Sequence, residues 1–161
     1  MNKELENKIS ATFPFMKKGK SLVEQHKAGF VDDLYSAFNL DCGDGWYNLI
    51  YELCTDIQKL LDESKMEVCI KVEQVKEKFG GLRFYYSLSF NEDEVSEVGK
   101  NRQKDERKEL LEKVSKLVDS YEDKSYKICE LCGNIGKLRE DLEWMETLCD
   151  KCYAKVISKQ I

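Results

Sequence analysis

Proline and histidine are almost absent from the chain: each occurs once in 161 residues, as Pro14 and His26. A single proline argues against a proline-rich linker or a disordered tail. No apolar run approaches the length of a membrane span, and the first twenty residues are too polar for a signal peptide. The sequence therefore predicts a cytoplasmic chain that does not bind a membrane.

An excess of charge of one sign is also lacking. Lys and Arg number 26 against 31 Asp and Glu, which gives a net charge of −5, and no segment is strongly basic. Proteins that bind the phosphate backbone need a basic footprint, so general nucleic-acid binding is not expected. Apolar residues make up 42% and aromatic residues 11%, enough for one modest core with or without a small satellite domain.

Helical spacing of apolar residues marks two segments. The stripe from Trp46 to Leu61 predicts a helix over about residues 45–64, and Asp44 suits its N-cap. A second stripe predicts a docked helix over about residues 105–122, preceded at 92–104 by a polar loop or a partly exposed helix. Residues 91–94 resemble a capping box for that element. Before residue 40, a short helical stripe from Val31 to Phe38 is expected.

Alternation of apolar and polar residues predicts an antiparallel hairpin. Residues 68–72 and 82–90 alternate with a period of two, as half-buried strands do. Gly80-Gly81 lies between them and suits a two-residue turn that needs positive φ. The apolar face changes parity between Val72 and Val75, which predicts a β-bulge near Glu73-Gln74.

Four of the seven cysteines form two closely spaced pairs. Cys129-Glu130-Leu131-Cys132 and Cys149-Asp150-Lys151-Cys152 give the pattern C-x2-C-x16-C-x2-C, and Gly133 follows the first pair. Thiolates two residues apart can share one metal ion where the backbone turns tightly. Two such pairs supply the four ligands of a closed tetrahedral site. The pattern therefore predicts structural Zn²⁺, with an iron–sulfur cluster as the alternative.

The residues between and after these pairs predict a hairpin and a helix. Residues 137–139 and 142–148 suit two strands joined by a turn near Glu140-Asp141, and the apolar spacing after Cys149 is helical. A knuckle, a hairpin and a helix that carries the second pair resemble a treble-clef zinc finger over about residues 126–161. That resemblance implies a fold but no single function, since such fingers bind nucleic acid, dock on proteins or only stabilise.

Together these elements predict an α+β fold. An antiparallel hairpin or small sheet packs on helices, and a treble-clef or ribbon-type zinc module follows at the C-terminal end. The predicted divisions are a partly helical N-terminal segment at 1–40, an α+β core domain at 41–124 and a four-cysteine zinc-finger module at 125–161.

The other three cysteines give weaker signals. Cys54 falls in the first helical stripe and Cys69 in a strand, so both are expected to be small core residues. Cys42 lies in a glycine-flanked loop and is the one candidate for a reactive thiol. A Cys–His nucleophile would need His26, which nothing in the sequence places beside it.

A candidate ligand-binding face lies on the predicted hairpin, on the side opposite its apolar residues: Lys76, Lys78, Arg83 and Tyr85. With Gly80-Gly81 as the turn, Lys78 lies opposite Arg83, and like charges across a strand pair destabilise it. Two explanations stay open. Either solvation or a carboxylate of the chain compensates, such as Asp41, Asp44 or one on a helix, or an anionic ligand or acidic partner does. Asp44 and Trp46 complete the candidate set.

The segments Gly43-Asp44-Gly45-Trp46-Tyr47 and Val72-Glu73-Gln74-Val75-Lys76-Glu77-Lys78-Phe79-Gly80-Gly81-Leu82-Arg83-Phe84-Tyr85 precede the paired CxxC motifs. In this combination the chain resembles a group of small uncharacterised proteins of phages and bacteria, over about residues 41–152. The resemblance implies a setting rather than a chemistry: the host cytoplasm, for a phage-encoded chain.

Three hypotheses on function follow. The first is a non-catalytic, zinc-stabilised protein that docks on a host protein, with a counter-defence role among its uses. The second is a sponge that sequesters a small phosphorylated or nucleotide ligand through its cationic and aromatic side chains. The third, an enzyme, is less favoured, because the spacing of Glu52, Asp56 and the other carboxylates gives no pair that acid–base catalysis requires.

Overall fold

A computed structural model describes residues 1–17, 34–64, 66–90 and 97–160, and the fold within these ranges is α+β. The helices are α1 (Lys3–Thr12), α2 (Leu34–Phe38), α3 (Tyr47–Ser64), α4 (Glu97–Ser125) and α5 (Asp150–Gln160). The strands are β1 (Leu40–Asp41), β2 (Val68–Lys78), β3 (Gly81–Phe90), β4 (Lys137–Arg139) and β5 (Glu146–Leu148). None of the described helices is long and apolar enough to cross a bilayer.

The main sheet has three strands in the order β1-β2-β3. Strands β2 and β3 are antiparallel, and β1 adds two residues in parallel, with Leu40 opposite Val75. The expected β-bulge is confirmed, because the register of β2 shifts between Val72 and Gln74. The extra residue returns the apolar side chains on both sides of it to the core face, so that Val72 and Val75 are both buried.

The turn of this hairpin lies one residue earlier than predicted. Lys78 pairs with Gly81, so Phe79 and Gly80 are the central residues, with φ of 55° and 75° as a type I′ turn requires. The prediction that Lys78 faces Arg83 is therefore wrong: Lys76 pairs with Arg83. Gly81 is a strand residue.

The first predicted helix is confirmed, but its cap is not. A 3-10 turn over Asp44–Trp46 precedes α3, and the residue in the N-cap position of that turn is Gly43. The carboxylate of Asp44 instead accepts hydrogen bonds from the backbone N–H and the side-chain amide of Asn2, at 2.7 and 2.8 Å. It thereby joins the start of α1 to the loop before α3.

The second predicted helix is longer than its apolar stripe. Helix α4 begins at Glu97, and the buried apolar side chains in the part whose side chains the structure describes lie on one face: Leu110, Val114, Val118 and Tyr121. Ion pairs such as Lys113 with Glu109, at 2.6 Å, support the helix on its exposed face. The capping box at 91–94 and the N-terminal part of the stripe at Val31 lie outside the described residues.

Two clusters of buried side chains hold the described chain together. The larger one lies between the inner face of the main sheet and the helices α1, α3 and α4. The smaller one lies near the C-terminal end and consists of Cys129, Leu148 and Cys152, with Tyr153 and Val156 packed against it. Strands β4 and β5 and helix α5 surround it, as predicted, although β5 begins only at Glu146 and residues 140–145 form a loop.

Candidate metal centre

The four paired cysteines meet in one cluster. The Sγ atoms of Cys129, Cys132, Cys149 and Cys152 all lie within 4.8 Å of one another, and the distance between Cys132 Sγ and Cys149 Sγ is 3.6 Å. All four cysteines are free, and this 3.6 Å separation is far longer than the about 2.05 Å of a disulfide bond. A donor set of this kind could hold one metal ion.

A tight turn brings the first pair of sulfur atoms together. The N–H of Gly133 donates to Cys129 O at 2.8 Å, and the N–H of Cys129 donates to Asn134 O at 2.7 Å. Gly133 has a φ of 76°, in the left-handed region that favours glycine. The segment 129–136, called the knuckle below, closes with the isolated bridge between Ile128 and Ile135.

The second pair lies where β5 passes into α5. Cys149 directly precedes the helix, and the N–H of Cys152 in the first turn points to Cys149 Sγ at 3.4 Å. The N-terminal end of a helix carries partial positive charge, which favours thiolates there. Arg139 fixes this junction: its guanidinium donates to Leu148 O at 3.3 Å and also contacts the Asp150 carboxylate.

Electrostatics divide the cluster into protected and accessible thiols. The backbone N–H of Asn134 lowers the pKa of the Cys132 thiol to about 7, whereas burial raises the pKa of Cys129. Cys129 is fully buried and Cys132 is exposed. A bound cation would stabilise all four thiolates, because metal ions displace the thiol protons.

The chemistry of the donor set suits a closed site. Four thiolates prefer soft or borderline ions, namely zinc or the irons of a cluster, over magnesium or calcium. With all four coordination positions taken by protein, a tetrahedral ion has none left for substrate or water.

The first glycine-rich stretch packs directly on the knuckle. The N–H of Gly45 donates to Glu130 O and the N–H of Gly43 to the Glu130 carboxylate, both at 2.7 Å. A Cβ on Gly45 would lie 2.3 Å from Cys129 O, so only glycine permits this approach. The indole of Trp46, fully buried, donates to Ile128 O at 2.9 Å.

The second glycine-rich stretch packs on the β4–β5 hairpin. The hydroxyl of Thr147 donates to Gly80 O at 2.6 Å, and a Cβ on Gly80 would lie 2.2 Å from a methyl carbon of Leu138. The Glu77 carboxylate accepts from Gly80 N–H at 2.6 Å and from the Trp144 indole at 3.2 Å. Both glycine motifs therefore form the surface on which the metal module, here defined as residues 126–160, packs.

Three of the predicted ligand residues make structural contacts. Trp46 is fully buried and Asp44 binds Asn2, as described above. Arg83 likewise has partners within the chain: its guanidinium donates to Tyr126 Oη at 2.9 Å and lies 3.9 Å from the Glu122 carboxylate. A helix carboxylate beside Arg83 is one of the internal explanations that the sequence left open.

The remaining predicted ligand residues lie at the surface. The ammonium of Lys76 is 5.7 Å from the centre of the Tyr85 ring, and that of Lys78 is 5.3 Å from the centre of the Phe79 ring. Neither lysine forms an ion pair with any residue that the structure describes. Ligand binding by the set of six stays a prediction.

The three other cysteines differ in burial. Cys54 is fully buried, as expected, whereas Cys69 is exposed because it lies on the outward face of β2, between inward-facing residues. The expectation that Cys69 is a core residue is wrong. Cys42 is buried, and this burial raises the pKa of its thiol to about 12, the opposite of what a reactive thiol needs. His26 lies outside the described residues.

Sequence patterns did not identify the residues that support the cluster, namely Glu77, Glu130, Arg139 and Thr147. Thr147, Glu130 and Glu77 contact residues distant in sequence, such as Gly80 from Thr147 at a separation of 67. Arg139 contacts Leu148 and Asp150, 9 and 11 residues away, and none of the four carries a local motif. Comparison of the chain with protein-family models finds no match, and searches of curated proteins and of solved structures find no significant similarity.

Proposed function

We propose that the cluster holds one structural Zn²⁺ in a module of the treble-clef type. Support comes from the four thiols within 4.8 Å and from the order of elements around them: a knuckle, the β4–β5 hairpin, and α5 carrying the last cysteine. The ion would bind to Cys129, Cys132, Cys149 and Cys152. Its contribution would be to folding rather than to a reaction.

Metal analysis of the purified full chain tests this assignment. We expect one zinc ion per chain, with marked loss of zinc in the Cys132→Ser and Cys149→Ser variants. The Cys69→Ser variant is a matched control, because Cys69 is also exposed but lies outside the cluster. Iron together with acid-labile sulfide would identify the bound group as an iron–sulfur cluster instead of zinc. Full zinc occupancy in both cluster variants would contradict the four-cysteine site.

We further propose that the chain is a non-catalytic binding protein, phage-encoded, that docks on a host protein. The observation that carries this is where its exposed apolar side chains lie. Of the large apolar residues exposed in the described ranges, most belong to the β2–β3 hairpin or to the metal module: Phe79, Tyr85, Leu131, Ile135 and Trp144. Clusters of exposed aromatic and aliphatic side chains mark protein interaction surfaces.

Capture from host lysate with the zinc-loaded full chain tests the docking proposal. We expect a host protein that is retained in stoichiometric amounts and that binds again when both proteins are purified. A parallel native mass measurement addresses the sponge hypothesis, since a bound nucleotide would add mass beyond the zinc. Recovery of such a ligand, with no protein retained, would contradict docking.

A further inference from the structure

The tip of the β2–β3 hairpin carries an aromatic residue that neither the backbone nor the core explains. Phe79 has a φ of 55°, a conformation that asparagine and glycine adopt readily and bulky residues rarely do. Its side chain is 55% exposed, so little burial compensates for this backbone conformation. Residues held in such conformations cluster at binding sites.

A second exposed aromatic residue is fixed beside this turn. Trp144 is 67% exposed, and its indole N–H is held by Glu77 at 3.2 Å. The other carboxylate oxygen of Glu77 accepts from the N–H of Gly80, the neighbour of Phe79. One carboxylate thus links the two positions and orients Trp144, although the two aromatic residues come from separate elements.

Residues near these rings carry charge of both signs. The hairpin contributes Lys76 and Lys78, whose described contacts are with aromatic rings rather than carboxylates. The loop at 140–145, which contains Trp144, is acidic through Glu140, Asp141 and Glu143, and Glu146 follows it at the start of β5. An acidic loop repels polyanions such as nucleic acids and anionic membranes, whose negative charge is continuous. A protein partner can instead place its carboxylates beside the lysines only, away from the acidic loop.

We propose that Phe79, Trp144 and Lys78, here called the aromatic tip, form the docking site for a protein partner. The partner surface would have an apolar pocket for the rings, with carboxylates beside it that meet Lys78. This inference rests on the proposed docking function and specifies where docking occurs. Central aromatic residues with charged neighbours provide most of the affinity of many interfaces.

Selection from a displayed library of random peptides, with the zinc-loaded full chain as bait, tests the tip. We expect enriched peptides that combine Asp or Glu with aromatic or aliphatic residues. Their affinity should fall about tenfold or more in the Phe79→Asn and Trp144→Ala variants, and less in Lys78→Glu. Phe38→Ala and Leu111→Ala are matched controls, because both residues are large, apolar and exposed but lie elsewhere.

The Phe79→Asn variant separates binding from folding. It creates an Asn–Gly turn, which suits the type I′ geometry, so its urea midpoint should equal or exceed that of the wild type. Loss of binding without loss of stability would support the tip.

Peptides that bind all variants equally, or no enrichment of peptides over a blank selection, would overturn the aromatic tip as the docking site. If a host protein captured from lysate binds wild type and tip variants alike, docking stands and the tip is wrong. Capture of no protein would overturn both. Self-association that the tip variants abolish, or tighter binding to anionic vesicles or oligonucleotides, would overturn the stated partner.

Discussion

Replacing Gly45 by alanine is expected to destabilise the whole chain through a contact with the knuckle. The added Cβ would lie 2.3 Å from Cys129 O, 2.4 Å from the backbone N of Gly133 and 2.6 Å from that of Cys132. All three are main-chain atoms, so no side-chain rotation relieves the overlap. Gly45 does not have a positive φ, and alanine therefore adds no backbone strain of its own.

The size of the effect follows from two losses. Overpacking by a single carbon in a well-packed region typically costs about 1–3 kcal/mol. Because partial withdrawal of the loop would relieve only part of the overlap, the hydrogen bond from Gly45 N–H to Glu130 O, 2.7 Å long, is also lost, at about 1 kcal/mol. We expect the free energy of unfolding to fall by about 2–4 kcal/mol in Gly45→Ala.

Urea unfolding followed by fluorescence measures this loss. The chain has two tryptophans, and a Trp144→Phe background leaves Trp46, buried at the contact between loop and metal module, as the reporter. With an m value of about 2 kcal/mol/M, the middle of the usual range for urea, the midpoint should fall by about 1–2 M. Ser158→Ala, on an exposed position of α5, is the control and should change stability by less than about 0.5 kcal/mol.

Two outcomes would refute this reasoning. An unchanged midpoint in Gly45→Ala would mean that the loop and the knuckle are not in contact. A wild-type protein in which zinc is released in one transition, and Trp46 becomes exposed only in a later one, would mean that the module and the core unfold separately.

Two further predictions concern single polar groups. Ser125→Ala leaves the buried N–H of Leu82, which donates to Ser125 Oγ at 2.8 Å, without its acceptor, and should cost about 1–3 kcal/mol by urea unfolding. The hydroxyls of Ser120 and Ser125 each also donate to the carbonyl three residues earlier in the helix. Ser120→Ala loses only that bond and should cost much less. Hydrogen bonds from Asn2 lower the pKa of Asp44 below its ordinary value, so the stability that this carboxylate contributes is lost as the pH falls through the lowered pKa. Asp44→Asn should therefore weaken the dependence of the urea midpoint on pH below about 4, and an identical dependence would contradict the pairing.

Periodicity in the sequence was sufficient to predict the elements that face one core. The stripe that begins at Trp46 and the parity break near Glu73 each follow from side chains that share a face, and the structure confirms the helix and the bulge. The paired cysteines could also be predicted to meet, because metal ligands at this spacing have few other uses.

The glycines show what such patterns cannot reveal. Gly43 and Gly45 suggested conformational freedom at a helix start, and Gly80-Gly81 suggested a turn. Yet a Cβ on Gly81 would lie 2.4 Å from the ring of Tyr126, and Gly45 lies against the knuckle. Gly45 and Gly81 are required by neighbours from distant parts of the chain, and a local sequence pattern cannot reveal such neighbours. The turn was therefore predicted one residue too late.

The long sequence separation between the glycine loop and the knuckle also has a consequence for synthesis. Gly43 and Trp46 bind residues 87 and 82 positions further along the chain, so both leave the ribosome well before their partners. Until residues 128–130 have been translated, the Trp46 indole lacks its acceptor and Gly43 lacks its partner. The four-cysteine cluster stays incomplete for longer, until Cys149 and Cys152 have followed. Metal capture would then come late in folding, and a chain released before Cys149 would leave apolar surface exposed, which promotes aggregation.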